Sequence, residues 1–195
     1  MTDNNYRVVY LGDRPEVVRA ICEIPQVDLA GCLIEPLDDH SEIRSLAETF
    51  GFSVYEVWSP LRIQDALRRV GNLDMGVITN FGVILSKKNM AFTQKGFINA
   101  HMGLLPENPG RHPIRSAIQQ GQRFTGVTLH WVEERVDSGS IIDQKIISIG
   151  FEANPAEVFD RLVHWVPVLL RKHLLSLLSE REAPLLVPDK VMAHS

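Results

Sequence analysis

The 195 residues carry a net charge of −4, and 45% of them are hydrophobic. That length suits one globular domain with a full core, and no apolar run approaches the length of a transmembrane helix. The mild acidity gives no bulk electrostatic reason to expect nucleic acid, although a local patch could still take phosphate. Two cysteines, Cys22 and Cys32, sit in apolar stretches. They read as small core residues of a reducing compartment rather than as a metal site. The first five residues carry no Lys or Arg, so they do not read as a signal peptide. A cytoplasmic protein is expected.

Arg7 to Gly12 reads as a buried first strand. Gly12-Asp13-Arg14-Pro15 is a turn, with Pro15 suited to open a helix. Val17, Val18, Ile21 and Ile24 follow at helical spacing. Val27 to Glu35 is a second apolar strand. Ser41 to Phe50 is a helix, stopped by Gly51. Ser53 to Tyr55 is a short strand. Ser59 caps, and Pro60 begins, a helix that ends at Gly71. Met75 to Thr79 is the next strand. Strands alternating with helices predict a parallel sheet covered on both faces. The first strand-to-helix turn has only Gly12 and lacks Gly-x-Gly-x-x-Gly, so a dinucleotide site is a poor reading.

Asn80 to Ser86 forms a loop, and Lys87 and Lys88 read as a solvated helix start. Phe97-Ile98-Asn99-Ala100-His101-Met102-Gly103-Leu104-Leu105-Pro106 begins as a strand and stops at a proline. Asn99 and His101, two apart, share one face, and Ala100 and Met102 share the other. The amide can donate to an oxygen, and the imidazole can donate, accept or carry a proton. In open α/β sheets the ligand crevice lies outside the carboxyl ends of strands, where this pair falls. On spacing alone such a pair is more often structural, capping a turn or satisfying buried backbone. Ile114 to Gln120 reads as a helix with Ile114 and Ile118 inward. Thr125 to Val132 is a strand, Glu133 to Val136 a loop and Ile141 to Ser148 a strand. Asn154-Pro155 opens a long helix in which Pro167 predicts a kink or break. Arg181 to Ser195, with Pro184 and Pro188, reads as a tail that packs on the domain or on a partner.

The spacing of several separate elements is similar to the formyltransferase family that uses 10-formyltetrahydrofolate. The family pattern is Asn-x-His-x-Ser-Leu-Leu-Pro, a Gly shortly after, then Gly-Val-Thr-x-His and Asp-x-Gly-x-Ile. Here these are Asn99 to Pro106, Gly110, Gly126 to His130 and Asp137 to Ile141. The match covers roughly residues 75 to 147. It implies a single Rossmann-like α/β domain over residues 1–180, mostly parallel with helices on both faces, followed by the tail 181–195. It also implies a catalytic trio of Asn99, His101 and Asp137. Phe81, Gly82, Val83, Ile84, Leu85 and Val136 are implied to line the folate pocket, with Gly82 letting the backbone come close. Gly103 stands where the family has Ser, and with His112 it is expected near the amine substrate. His130 is expected to support the site rather than to carry protons.

The resemblance implies N-formyl transfer from 10-formyltetrahydrofolate to a small-molecule amine. No metal is expected, since no His/Cys cluster has ligand spacing. The glycine- and serine-rich loop that takes phosphate in glycinamide ribonucleotide formyltransferases is absent after the first strand. The enzyme that formylates initiator methionyl-tRNA carries a second domain for which this chain is short, so neither nucleic acid nor membrane is expected as a partner. Gly110-Arg111-His112-Pro113-Ile114 is most similar to formyltransferases acting on nucleotide-linked amino sugars, ahead of amino-acid or siderophore amines. Two alternatives stand beside this: a hydrolase that gives the formyl group to water, and a folate-binding module without turnover. A homo-oligomer is left open.

Overall fold

The computed structural model describes residues 5–36, 39–150 and 153–179. Seven strands form one sheet: β1 (Tyr6–Gly12), β2 (Val27–Ile34), β3 (Ser53–Glu56), β4 (Met75–Thr79), β5 (Phe97–His101), β6 (Phe124–Trp131) and β7 (Ile141–Ser148). Their order is β3-β2-β1-β4-β5-β6-β7. The five strands from β3 to β5 run parallel, and β6 and β7 are antiparallel additions at one side. The helices are α1 (Pro15–Cys22), α2 (Ser41–Phe50), α3 (Pro60–Val70), α4 (Lys87–Met90), α5 (Pro113–Gln119), α6 (Pro155–Val163) and α7 (Trp165–Ser179).

β1 shows why the apolar runs are continuous rather than alternating. Val8 and Tyr10 join a core with α1, α2, α5, α6 and α7. Val9 and Leu11 point to the opposite face and join α3. Both faces of a parallel strand are covered, so every position must be apolar.

Local signals set the helix ends. Ser59 accepts from Arg62 N at the start of α3, and Gly51 ends α2 in the left-handed conformation. Ser86 and Asn89 form a reciprocal capping box that makes the short α4. The expected long C-terminal helix is two helices, with the break at His164. Pro167 has no N–H for the Val163 carbonyl, and its ring crowds that oxygen. The chain therefore breaks one turn before the proline, and Pro167 lies in the first turn of α7. Among the described residues no helix is long and apolar enough to cross a membrane. The expected tail, 181–195, lies outside the described residues.

The sheet order places the site. The chain runs outward from β1 to β3 and returns through β4, so the loops after β1 and β4 diverge at a switch point. Asn80, at φ 50° just after β4, closes this gap by donating to the Asp13 carboxylate.

Candidate active site

Asn99 and His130 are cross-strand partners in the β5–β6 ladder, and His101 pairs with Thr128. Residues directly opposite in an antiparallel pair share a face, so the Asn99 and His130 side chains must meet. Asn99 Nδ2 lies 3.2 Å from His130 Nε2. His130 Nδ1 lies 2.8 Å from the Trp131 carbonyl oxygen, which can only accept. Nδ1 therefore carries the proton, and Nε2 is left as an acceptor for the Asn99 amide. Burial pushes the His130 pKa down, partly opposed by the Trp131 carbonyl and by the Asp137 charge. A neutral His130 thus fixes which end of Asn99 is the donor. The second N–H of that amide is left for the cavity.

His101 is held the same way at its other nitrogen. Nε2 donates to the Asn108 carbonyl at 2.7 Å. Nδ1 is left facing Asp137 Oδ2 at 3.5 Å. Asp137 Oδ1 lies 3.7 Å from His130 Nε2. The Asp137 carboxylate is also tied to the loop before α5, because Gly110 N donates to Oδ2 at 2.7 Å. Asp137 has φ 55°, a left-handed conformation that Asp tolerates better than most residues. Gly139 permits that turn: a Cβ there would stand 1.8 Å from the Trp131 carbonyl oxygen, the one that orients His130.

Asn99, His101 and Asp137 line one cavity of about 770 Å³, within the usual range for small-molecule sites. Phe81, Val83, Ile84, Leu85, Val132 and Val136 give it an apolar wall. Ile84 is 65% exposed and Val136 51%, so this wall presents uncovered apolar surface to a ligand. Asp13, Glu35, Arg111, His112 and Phe159 also line the cavity. The six residues expected to touch folate all border the cavity.

Two expectations come out differently. Gly103 is not on the cavity wall. It is buried behind His101, where a Cβ would lie 2.5 Å from Pro113 Cβ and 2.9 Å from His101 Nε2. Gly82 does border the cavity, but the room left by its missing side chain is taken by Arg111 and Glu35. A Cβ would lie 2.8 Å from an Arg111 nitrogen, and Gly82 N donates to Glu35 at 2.6 Å.

The Asn108 carbonyl and the Asp13–Asn80 contact have no counterpart in the sequence reading. A carbonyl carries no side-chain signature. The loop behind the site is fixed by Thr128, which donates to Gly103 O and accepts from Leu105 N, while Gln144 bonds both Thr128 and Leu105 O.

A crevice at the carboxyl ends of parallel strands brings together an amide, an imidazole and a carboxylate beside an apolar wall, groups that can donate to an oxygen and move a proton. The chain belongs to the formyl transferase family, whose model matches residues 59–171. It is 38% identical over 117 residues to methionyl-tRNA formyltransferase of Moorella thermoacetica, which covers 60% of this chain and 37% of that protein. The chain thus spans well under two thirds of that relative's length. The fold matches phosphoribosylglycinamide formyltransferase of Bacillus halodurans with a TM-score of 0.75 at 23% identity, over 90% of this chain and 97% of the other. A sugar N-formyltransferase from Shewanella matches with a TM-score of 0.69 at 21% identity, over 89% and 70%.

Proposed function

We propose that the protein transfers the formyl group of 10-formyltetrahydrofolate to the amine of a small molecule, with nucleotide-linked amino sugars as the first class to test. The observation that carries this reading is the convergence of Asn99, His101 and Asp137 on one cavity with an apolar wall. Folate lies along Phe81 to Leu85 and Val136, with the formyl group between Asn99 and His101.

The amine nitrogen attacks the formyl carbon, and negative charge develops on the formyl oxygen. The free N–H of Asn99 donates to that oxygen, and a proton on His101 Nδ1 adds a second donor. One such donor contributes about 2.7–4 kcal/mol in comparable sites. Asp137 accepts the proton released by the amine. The bond from the carbon to folate N10 then breaks, and the same proton goes to N10, leaving tetrahydrofolate and the formamide. The separation of 3.5 Å between His101 and Asp137 is of the kind that tightens when a ligand fills the site.

The test is an amine screen with the formyl donor, read by mass spectrometry for the gain of one formyl group. Formylation of at least one small amine is the expected result. Formate release with every amine inert would instead make the protein a hydrolase. Binding of folate with neither product would overturn the enzymatic reading.

A further inference from the structure

His101 Nδ1 and Asp137 Oδ2 stand 3.5 Å apart, too far for a firm hydrogen bond to fix the pair by itself. One loop holds both. The Asn108 carbonyl accepts from His101 Nε2 at 2.7 Å, and Gly110 N donates to Asp137 Oδ2 at 2.7 Å. The placing of this short piece of chain therefore sets where the imidazole stands against the carboxylate. The loop has few tethers of its own, since Pro106 and Pro109 carry no N–H. Asn108 N bonds the Leu104 carbonyl at 2.8 Å. Among the described residues, only one side chain from Pro106 to His112 makes a hydrogen bond or ion pair: Asn108 Nδ2 donates to Gln122 Oε1 at 2.8 Å. Gln122 is anchored beyond the end of α5, where its N bonds Ala117 O and its Nε2 bonds Gln120 Oε1, both at 3.0 Å. The amide at 108 is otherwise a poor choice. Asn108 is 1% exposed, and its Oδ1 is buried without a partner. An apolar side chain of like shape would leave no such oxygen, so stability alone does not call for an amide here. What the amide supplies is the bond to Gln122.

We infer that Asn108 and Gln122 are positioning residues: their bond pins the loop so that the Asn108 carbonyl keeps a hydrogen on His101 Nε2 and turns Nδ1 toward Asp137. A carbonyl can only accept, so while it stays in place the neutral ring has one tautomer. Once the pin is cut, the carbonyl shifts, the ring is free to exchange its hydrogen between the two nitrogens, and the Asp137 carboxylate moves with Gly110. Neither Asn108 nor Gln122 is among the residues that line the cavity. The pin therefore acts on turnover and leaves folate affinity alone. The effect on turnover rests on the proposed formyl transfer; the effect on the ring does not.

Two arms separate those claims. In the first, ligand-free protein with isotope-labelled histidine is followed by NMR in buffer alkaline enough to keep the imidazoles neutral. The His101 ring signals are those lost in His101→Gln. Wild type should carry the hydrogen on Nε2 alone. Gln122→Ala should show exchange between both nitrogens. Gln122→Glu keeps an acceptor for Asn108 Nδ2 and should match wild type. Asn108→Leu should behave as Gln122→Ala at the ring and yet melt no lower than wild type, because it buries no unmatched oxygen. The Gln122 variants carry the test by themselves if Asn108→Leu does not fold. In the second arm, turnover is measured on an accepted amine. Gln122→Ala should lower kcat by about ten- to a hundredfold, with KM for the formyl donor changed by less than about twofold. Gln122→Glu should stay within a few fold of wild type. A ring that keeps its hydrogen on Nε2 in folded Gln122→Ala would overturn the inference, as would unchanged kcat in that variant. If no amine is formylated, the formyl-transfer reading fails, and the NMR arm still decides whether the pin sets the ring.

Discussion

At the residue scale the site is built by restricting which atom of each side chain can act. The period-two spacing of Asn99 and His101 was legible from the strand alone, because alternation leaves no other arrangement. Asp137 was legible only through the family pattern, since 36 residues separate it from His101 and no local rule links them. The Asn108 carbonyl was not legible at all. If Asp137 is the proton acceptor, Asp137→Asn keeps a hydrogen-bonding group but no charge. Turnover should then fall by about a hundred to ten thousand fold with folate affinity nearly unchanged. Activity within a few fold of wild type, on an accepted amine, would leave Asp137 as a turn residue. Gly103 yields a less intuitive expectation. Serine is the usual family residue there, yet its Cβ would press on Pro113, whose own Cβ cannot swing away, and on the His101–Asn108 contact. Gly103→Ser should cost about 1–3 kcal/mol of stability through overpacking. It should also lower turnover by about ten- to a hundredfold, as the ring is displaced. Unchanged melting and unchanged turnover together would show that the loop yields freely.

At the element scale, strands and helices were legible where the apolar period and the caps agreed. Gly51, Ser59 and Gly71 mark ends that the structure keeps within a residue. Pro167 was legible as a disruption, but its effect falls one turn earlier, at the carbonyl the proline cannot serve. What holds α7 to the sheet edge was not visible, because it joins residues far apart in sequence. Asp143 on β7 accepts from Lys172 at 2.8 Å and from His173 at 2.6 Å on α7. These bonds, Lys172 first, hold the Asp143 carboxyl down to about 2. An acid with a depressed folded value adds stability that is present above the unfolded value, near 3.9, and lost as pH falls through about 2. Asp143→Asn should therefore lower stability at neutral pH by about 1 kcal/mol or less, the usual range for surface pairs. The gap to wild type should shrink between about pH 4 and pH 2. Urea titrations at pH 7 and pH 3 check this, and a gap that stays constant would mean the ion pairs carry none of it.

At the scale of the whole molecule, a parallel sheet buried on both faces was legible from the βα alternation. The antiparallel pair β6 and β7 was not distinguished from it, because a buried strand reads the same in either direction. That pair makes the fold sensitive to acid at one point, since it buries His130 opposite Asn99. Burial is the largest cause of the lowered His130 pKa. The unfolded chain takes up a proton near pH 6.5, which the folded chain refuses until a lower pH. Between those two values the unfolded state binds more protons, so stability falls as pH falls, by at most about 1.4 kcal/mol per pH unit for this one group. The chain has seven histidines, so the comparison must be with a variant. His130→Gln removes the titrating ring and leaves an amide opposite Asn99. It should be less stable than wild type at pH 7.5, where the neutral ring bonds both Asn99 and Trp131. The difference should narrow by pH 5.5, because only wild type then bears the cost of keeping the ring unprotonated. Chemical denaturation of both proteins at the two pH values measures it. A difference that is the same at both, or that widens in acid, would mean that His130 is not the neutral, buried acceptor that orients Asn99.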